Sequence, residues 1–213
     1  MRRLTQIDDL IRALHPDLGV DDECFFLREY TVGKSFDYSE TNSLINNLKK
    51  PLSLSSTAQW PHKQKAIQQC GAELKAALGL TWLRRATLVP MPPSKHNDDP
   101  EYDDRILKVI YELGKGEQLD VRELLLQRQS MPASHRETRA SVQELIGNYR
   151  IHESSTDPAP AVIGLFDDVL TRGTHFRAAK RVLTDQFGPI RVIGIFIARS
   201  VYAPNVEGGG DAI

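Results

Sequence analysis

Two adjacent carboxylates, Asp167 and Asp168, stand between a short apolar segment and a small polar turn. The turn, residues 171–174, reads Thr-Arg-Gly-Thr, and a helical pattern begins directly after it. A strand that leads through such a turn into a helix can hold a phosphate, because the N–H groups of the turn converge and the helix N-terminus carries a partial positive charge. The two carboxylates would face whatever the phosphate is attached to. The pattern predicts a site for a phosphorylated sugar, its hydroxyls and a magnesium ion.

The residues of the turn have separate roles in this prediction. Gly173 permits a positive φ and a close approach of the backbone to phosphate, while Thr171 and Thr174 add hydroxyls to their N–H groups. Arg172 either pairs with the phosphate or points to solvent, and the sequence leaves both open. A single Asp at a strand end often forms an Asx-turn or caps the next helix. Two in a row at a fixed distance from the turn favour a binding role instead. His175, directly after the turn, is interpreted as a helix-start residue rather than a general base.

Strands and helices alternate from residue 86 onward, which predicts an α/β fold with a parallel sheet. We expect strands at 86–91, 119–126, 161–166 and 191–199, although residues 121–124 suit a helix equally well. Helices are expected after Asp99, from His135 to about Ile146, and over 174–187, with a short edge strand at 149–151.

Further polar and basic residues follow the first two of these strands. In an open parallel sheet, ligands bind beyond the carboxyl ends of the strands. The loop after the first strand contains Pro92, Pro93, Ser94 and Lys95, and a cis bond between the two prolines would turn N–H groups toward a ligand. Lys95 is either a diphosphate contact or a solvated side chain. The segment after the second strand, containing Arg128, Ser134, His135, Arg136 and Arg139, either closes over a bound anion or is an ordinary charged surface.

The first 80 residues have a weaker pattern. An apolar stripe predicts a helix over 4–14, and a strand follows from Cys24 toward Val32. Asp37 and Glu40 have the spacing of a helix cap, which predicts a helix from Tyr38. A polar loop at 51–59 then precedes a helix that begins near Pro61. We expect residues 1–80 to form a small α+β cap, residues 81–202 the core, and residues 203–213 a mobile tail.

Composition sets broad limits on function. The chain has 213 residues and a formal net charge of −1, so there is no global field that would attract nucleic acid or an anionic membrane. Cys24 and Cys70 share no metal-like spacing with histidines, which indicates free thiols in a reducing compartment. The charged N-terminus is unlike a signal peptide, and no apolar run has the length of a membrane span. We expect a cytoplasmic protein without direct nucleic-acid or membrane binding.

The segment DDVLTRGT, with the apolar strand before it, resembles the phosphoribosyl-diphosphate binding motif of type I phosphoribosyltransferases. The order of features resembles the ComF-related branch of that family. LVPMPPSK is similar to the first core strand and diphosphate loop, and residues 128–149 are similar to the segment before the central strand. These matches cover residues 86–199, with a faint one between Leu44–Lys50 and the family's N-terminal helix. The resemblance implies a parallel sheet flanked by helices, with a small N-terminal cap or hood.

The resemblance also implies roles for the site residues. Asp167 and Asp168 would contact the ribose hydroxyls, bind magnesium through water and be the candidates for stabilising the transition state. The binding segment would run from Asp167 through Val169 and Leu170 to Thr174, with residues 171–174 around the 5-phosphate. Magnesium would bridge the diphosphate and the ribose, held largely by substrate oxygens and waters.

The function implied is a magnesium-dependent transfer of the phosphoribosyl group to a nitrogenous, nucleobase-like acceptor. One alternative is a regulatory or assembly module in a DNA-related process that binds the same ligand without transfer. For either function the sequence leaves a homodimer or a larger assembly open. Another alternative is an interaction protein that only retains the fold. The chain departs from the family in three respects. It lacks a cysteine-rich zinc module, it has Arg172 where a second Thr or Ser is usual, and it has Asp99–Asp104 where an Arg-Gly-Phe element is usual.

Overall fold

The computed structural model describes residues 2–131 and 140–203. Its strands are β1 (Thr5–Gln6), β2 (Glu23–Thr31), β3 (Thr87–Pro90), β4 (Asp120–Val121), β5 (Leu125–Gln127), β6 (Tyr149–Ile151), β7 (Val162–Leu170) and β8 (Arg191–Val201). Its helices are α1 (Asp9–Arg12), α2 (Glu40–Leu48), α3 (Trp60–Ala77), α4 (Leu80–Leu83), α5 (Arg105–Leu113), α6 (Val142–Asn148) and α7 (Thr174–Phe187). Short 3₁₀ turns occur at Leu52–Leu54 and Glu153–Ser155.

Six strands form one sheet in the order β1-β2-β8-β7-β3-β4, in which only β1 runs antiparallel to its neighbour. β5 and β6 form a separate antiparallel pair. One core, which includes Leu48, Leu74 and Ile110, joins the sheet to α2, α3 and α5. A second core, which includes Leu145 and Phe176, joins it to α6 and α7. Helices therefore cover both faces, as continuous apolar strands require, and the predicted α/β class with a mostly parallel sheet is confirmed.

β7 and α7 carry the predicted site. α7 spans Thr174–Phe187, the predicted bounds. β7 is longer than expected, because residues 167–170 continue to pair with β8 as far as Leu170 and Arg199. The two aspartates therefore lie within the strand rather than in the loop beyond it.

Several local predictions were wrong. The segment 4–14 contains β1 and the four-residue α1 instead of one helix. Ser39 rather than Asp37 caps α2, since its hydroxyl accepts the N–H of Asn42. Asp99 starts no helix, because its carboxylate accepts the Glu101 N–H at 2.9 Å in an Asx-type turn. α5 begins only at Arg105. The strand expected over 119–126 is divided between β4 and β5, which belong to different sheets.

The N-terminal region contributes directly to the main sheet. β2 lies parallel to β8, with Cys24 opposite Gly194, and β1 pairs with the outer side of β2. Cys24 and Phe26 are buried in the same core as Phe176 of α7. The N-terminal region thus shares the main sheet with the rest of the chain, and the division into cap and core with boundaries at residues 80 and 202 remains a prediction.

Some of the predicted site residues and elements lie outside the described residues 2–131 and 140–203. Ser134, His135, Arg136 and Arg139, with most of the helix expected from His135, lie there, as do residues 204–213 of the tail. Within the described part, α6 begins at Val142 and is capped reciprocally by Ser141 and Glu144. Cys24 and Cys70 are free and buried. None of the helices in residues 2–131 and 140–203 is long and apolar enough to cross a membrane.

Candidate functional site

Asp168 is a buried carboxylate with both oxygens engaged by cations. The residue is 4% exposed. Its Oδ1 lies 3.0 Å from Lys49 Nζ, and its Oδ2 accepts hydrogen bonds from Arg105 Nε at 3.0 Å and Nη2 at 2.7 Å. Burial opposes ionisation, but the charges of Lys49 and Arg105 prevail and hold the pKa of Asp168 well below its usual range. Asp168 is therefore ionised at neutral pH.

Asp167 differs from its neighbour, although it lies beside it on β7. Its Oδ1 accepts the backbone N–H of Asp168 at 2.7 Å. Burial, together with the negative charge of Asp168, raises the pKa of Asp167 to about 7. The pair thus combines a permanent negative charge with a carboxyl that changes protonation near neutral pH.

A chain of ion pairs and hydrogen bonds positions the two cations. Arg105 also bonds Asp103 Oδ2 at 3.0 Å. The same Asp103 oxygen accepts from Lys63 Nζ at 2.8 Å, and Lys63 is 1% exposed. Lys63 Nζ also donates to the carbonyls of residues 48 and 50 at 2.8 Å each, on either side of Lys49. A buried lysine therefore connects the end of α2 to the start of α5, the two elements that supply the cations.

A cavity of about 450 Å³ opens beside the two aspartates. It lies beyond the carboxyl ends of β3 and β7, where the sheet topology predicts a ligand. Its lining combines residues from five parts of the chain: Lys49, Pro92–Ser94, Tyr102–Arg105, Glu123, and Asp167–Val169 with Thr171 and His175. Among the described residues, five carboxylates (Asp103, Asp104, Glu123, Asp167, Asp168) and two cations (Lys49, Arg105) line the cavity, and Lys63 and Lys108 pair with Asp103 and Asp104 from outside the lining. Because these acidic groups still outnumber the cations, metal ions that accompany a polyanion would favour its binding here.

The predicted diphosphate loop is only partly in the cavity. Pro92, Pro93 and Ser94 line it. Lys95 lies outside the lining and pairs with Asp99 at 3.7 Å and Glu101 at 3.3 Å, so it does not face the aspartates. The bond between Pro92 and Pro93 is trans, since the cis peptide found in the described residues is Asp157–Pro158. The proposed cis turn is therefore wrong.

The turn after β7 has the predicted backbone, but two of its side chains point elsewhere. Gly173 adopts φ +92°, as expected. Arg172 bonds Asp17 through Nε at 3.1 Å and Nη2 at 3.0 Å, and Thr174 Oγ1 donates to Asp17 at 2.6 Å. These bonds hold the pKa of Asp17 below its usual range even though partial burial opposes this. Arg172 is therefore exposed at the surface, the second of the two positions that the sequence left open, and is paired there with Asp17.

Arg128 and His175 differ in their position relative to the cavity. Arg128 is exposed and lies outside the cavity lining, with its N–H bonded to the Asn148 carbonyl at 2.7 Å. His175, the second residue of α7, does line the cavity, and its Nδ1 lies 2.8 Å from the hydroxyl of buried Tyr149. Burial lowers the pKa of His175, so the ring is neutral at pH 7.

Sequence reasoning missed Asp17, Lys49 and Arg105 as parts of this region. The faint resemblance of Leu44–Lys50 to a family helix is the one sequence signal that includes Lys49. Arg105 reaches its partner across 63 residues and Asp17 across 155, so neither contact leaves a local pattern.

Among the residues described, no three His, Cys, Asp or Glu side chains are grouped to hold a metal ion. Both oxygens of Asp168 already have cationic partners. The donor set thus fits magnesium only when ligand oxygens and water complete its coordination, since magnesium retains several non-protein oxygens.

The fold and cavity define an α/β protein with an acidic site at the carboxyl edge of a parallel sheet. The sequence matches no protein-family model, and the comparison with curated proteins finds no relative. The resemblance to phosphoribosyltransferases accordingly rests on the motifs themselves.

Proposed function

We propose that this protein binds phosphoribosyl diphosphate with magnesium and transfers the phosphoribosyl group to a nitrogenous, nucleobase-like acceptor. One observation carries the proposal: the aspartate pair, Pro92–Ser94 and the start of the β7–α7 turn line a single cavity. Strand-end carboxylates suit sugar hydroxyls, and the first N–H groups of α7 have no acceptor within the helix and suit a phosphate.

The charges of the site support a ligand that arrives with metal. Among the described residues, Lys49 and Arg105 are the cations that line the cavity, and both are bound to Asp168. Magnesium would neutralise part of the charge on the leaving diphosphate. Substrate oxygens would hold the ion directly, and Asp167 and Asp168 would hold it through water. The remaining excess of carboxylates would disfavour metal-free diphosphate.

The transfer would exchange one bond at C1 of the sugar for another. The C1–O bond to diphosphate breaks, the acceptor nitrogen bonds to C1, and the proton of that nitrogen passes to the departing diphosphate or to water. Positive charge on the ring in the transition state would be stabilised by ionised Asp168 and by Asp167. Catalysis of this kind depends on positioning and electrostatics rather than on a protein nucleophile.

A binding or regulatory module without transfer is the second candidate. It is favoured by the engagement of Asp168, because a ribose hydroxyl must compete with Lys49 and Arg105 for the same oxygens. Such a site suits reversible occupancy as well as turnover.

Isothermal titration calorimetry with phosphoribosyl diphosphate and Mg²⁺ tests both candidates. We expect binding by the wild-type chain and a loss of at least tenfold in Asp168→Asn, which leaves two cations without their partner. The matched control is Asp185→Asn, because Asp185 is an exposed carboxylate on α7 that pairs with Arg181 at the surface. Absence of wild-type binding, or equal binding by Asp168→Asn, overturns both candidates.

If binding is present, diphosphate release separates enzyme from module. Nucleobases are added one by one to the protein, the ligand and Mg²⁺, and released diphosphate is measured. Release that depends on one base supports transfer, whereas binding without release by any base supports the module.

A further inference from the structure

Residues 15–18, which we call the strap, contact every residue of the turn 171–174. His15 Nδ1 donates to the Thr171 carbonyl. The Asp17 N–H donates to the Arg172 carbonyl at 2.9 Å, and its carboxylate binds the side chains of Arg172 and Thr174. Leu18 packs on Gly173, where an added Cβ would lie 2.5 Å from Leu18 Cδ2. The strap itself is folded by a hydrogen bond from the Leu18 N–H to the His15 carbonyl at 2.9 Å.

The strap contacts the turn from outside the cavity. None of residues 15–18 lines the cavity, whereas Thr171 and His175 both do. In a trans peptide the C=O and the following N–H point in opposite directions. Since the carbonyls of Thr171 and Arg172 are held by the strap, the N–H groups of Arg172 and Gly173 point away from it. Arg172 and Gly173 lie between two residues of the lining, Thr171 and His175.

We propose that the strap is a positioning device that aims the backbone N–H groups of the turn at an anionic group in the cavity. Asp17 and His15 are the positioning residues, and both act through the turn without touching the ligand. Arg172 is then part of this device and not a ligand contact. The inference rests on the proposed phosphate-binding role of the turn.

The arrangement accounts for two features of the chain. A bidentate pairing with Asp17 requires a guanidinium at residue 172, where a small hydroxyl side chain would not reach in the same way. Residue 173 must be glycine, both because it lies in close contact with Leu18 and because its φ is positive. Both features follow from the strap, which lies more than 150 residues earlier in the sequence.

A charge reversal separates positioning from direct ligand contact. Binding of phosphoribosyl diphosphate with Mg²⁺ is measured by calorimetry for Asp17→Arg, Arg172→Asp and the double variant. We expect each single variant to bind roughly tenfold more weakly, as for the loss of a charge-assisted pair, and the double variant to recover most of the affinity. The control is the same reversal at the exposed Arg181–Asp185 pair of α7, which is expected to change nothing.

The other outcomes overturn the inference. If Arg172→Asp and the double variant both lose binding, Arg172 contacts the ligand directly. If the single variants bind like wild type, the strap has no positioning role.

A second measurement does not depend on the ligand. Hydrogen exchange of the amides of residues 171–174 is expected to be faster in both single variants and slow again in the double variant. A wild-type chain that fails to bind refutes the proposed function, and the exchange rates then still decide whether the strap orders the turn. Equal exchange rates in the wild type, the two single variants and the double variant refute the positioning role of the strap.

Discussion

Gly173→Ala is the substitution that tests the strap and the turn most directly. Gly173 has φ +92°, and a Cβ there would lie 2.5 Å from Leu18 Cδ2, 2.6 Å from Leu18 Cγ and 3.2 Å from the Leu18 backbone N. Real Cβ atoms do not approach other heavy atoms to the first two distances, so the strap must move away from the turn. The backbone contact limits relief by rotation of the Leu18 side chain alone.

The expected loss of stability has two parts. A left-handed backbone conformation costs a non-glycine residue about 1–2 kcal/mol. Forcing extra volume into a packed contact costs about 1–3 kcal/mol. The free energy of unfolding should therefore fall by about 2–5 kcal/mol in Gly173→Ala if the two parts add.

Gly33 provides the matched control. Its φ is +77°, and nothing lies within 4 Å of a Cβ built there. Gly33→Ala therefore has the backbone cost of about 1–2 kcal/mol without the steric part. Urea denaturation is measured for Gly33→Ala, Gly173→Ala, Leu18→Ala and the double variant Leu18→Ala/Gly173→Ala. The difference between the effect of the double variant and the sum of its two single effects is the coupling energy of the contact.

The reasoning is refuted if Gly173→Ala destabilises the protein no more than Gly33→Ala does. It is also refuted if Leu18→Ala and Gly173→Ala have strictly additive effects, because relief of the clash must appear as coupling between them.

Three further predictions concern the buried charges. Lys63→Met should lower the free energy of unfolding by about 3–5 kcal/mol, since it removes a buried cation from its acidic partner; thermal denaturation measures this. Burial lowers the pKa of His15 below its ordinary value of 6.5, so the unfolded chain takes up a proton at a higher pH than the folded one. Its contribution to stability is therefore complete above pH 6.5 and is lost as the pH falls toward the folded-state pKa, a slope that His15→Gln should reduce in urea titrations. In metal-free protein, carboxyl NMR should show Asp167 titrating near pH 7 while Asp168 stays ionised, and Lys49→Met should raise the pKa of Asp168.

Each of these predictions has a contradicting result. A Lys63→Met chain as stable as wild type would mean that the lysine is not integral to the core. An unchanged pH slope in His15→Gln would assign the slope to other groups. Equal titration of the two aspartates would contradict the asymmetry that Lys49 and Arg105 impose.

Local sequence pattern determined a large part of the fold around the site. The apolar run before Asp167, the glycine at 173 and the amphipathic segment 174–187 predicted β7, a positive-φ turn and α7, since each depends on residues close in sequence. The same patterns placed Pro92–Ser94 at the carboxyl end of a parallel strand, and these residues do line the cavity. Where nearby polar groups offered competing hydrogen bonds, as around Asp37 and Asp99, the predicted helix starts were wrong.

Only the tertiary structure decided which charges meet. The pairing of Asp168 with Arg105, of Arg172 with Asp17 and of β2 with β8 joins segments separated by 63, 155 and 168–170 residues. Periodicity describes which face of an element is apolar but carries no information on which distant element covers it. The sequence alone thus determined the strand, turn and helix of the proposed anion site. The packing of α5 and of the N-terminal region against them decided that Asp168 pairs with Lys49 and Arg105 and that Arg172 faces Asp17, because these contacts exist only once the sheet has assembled.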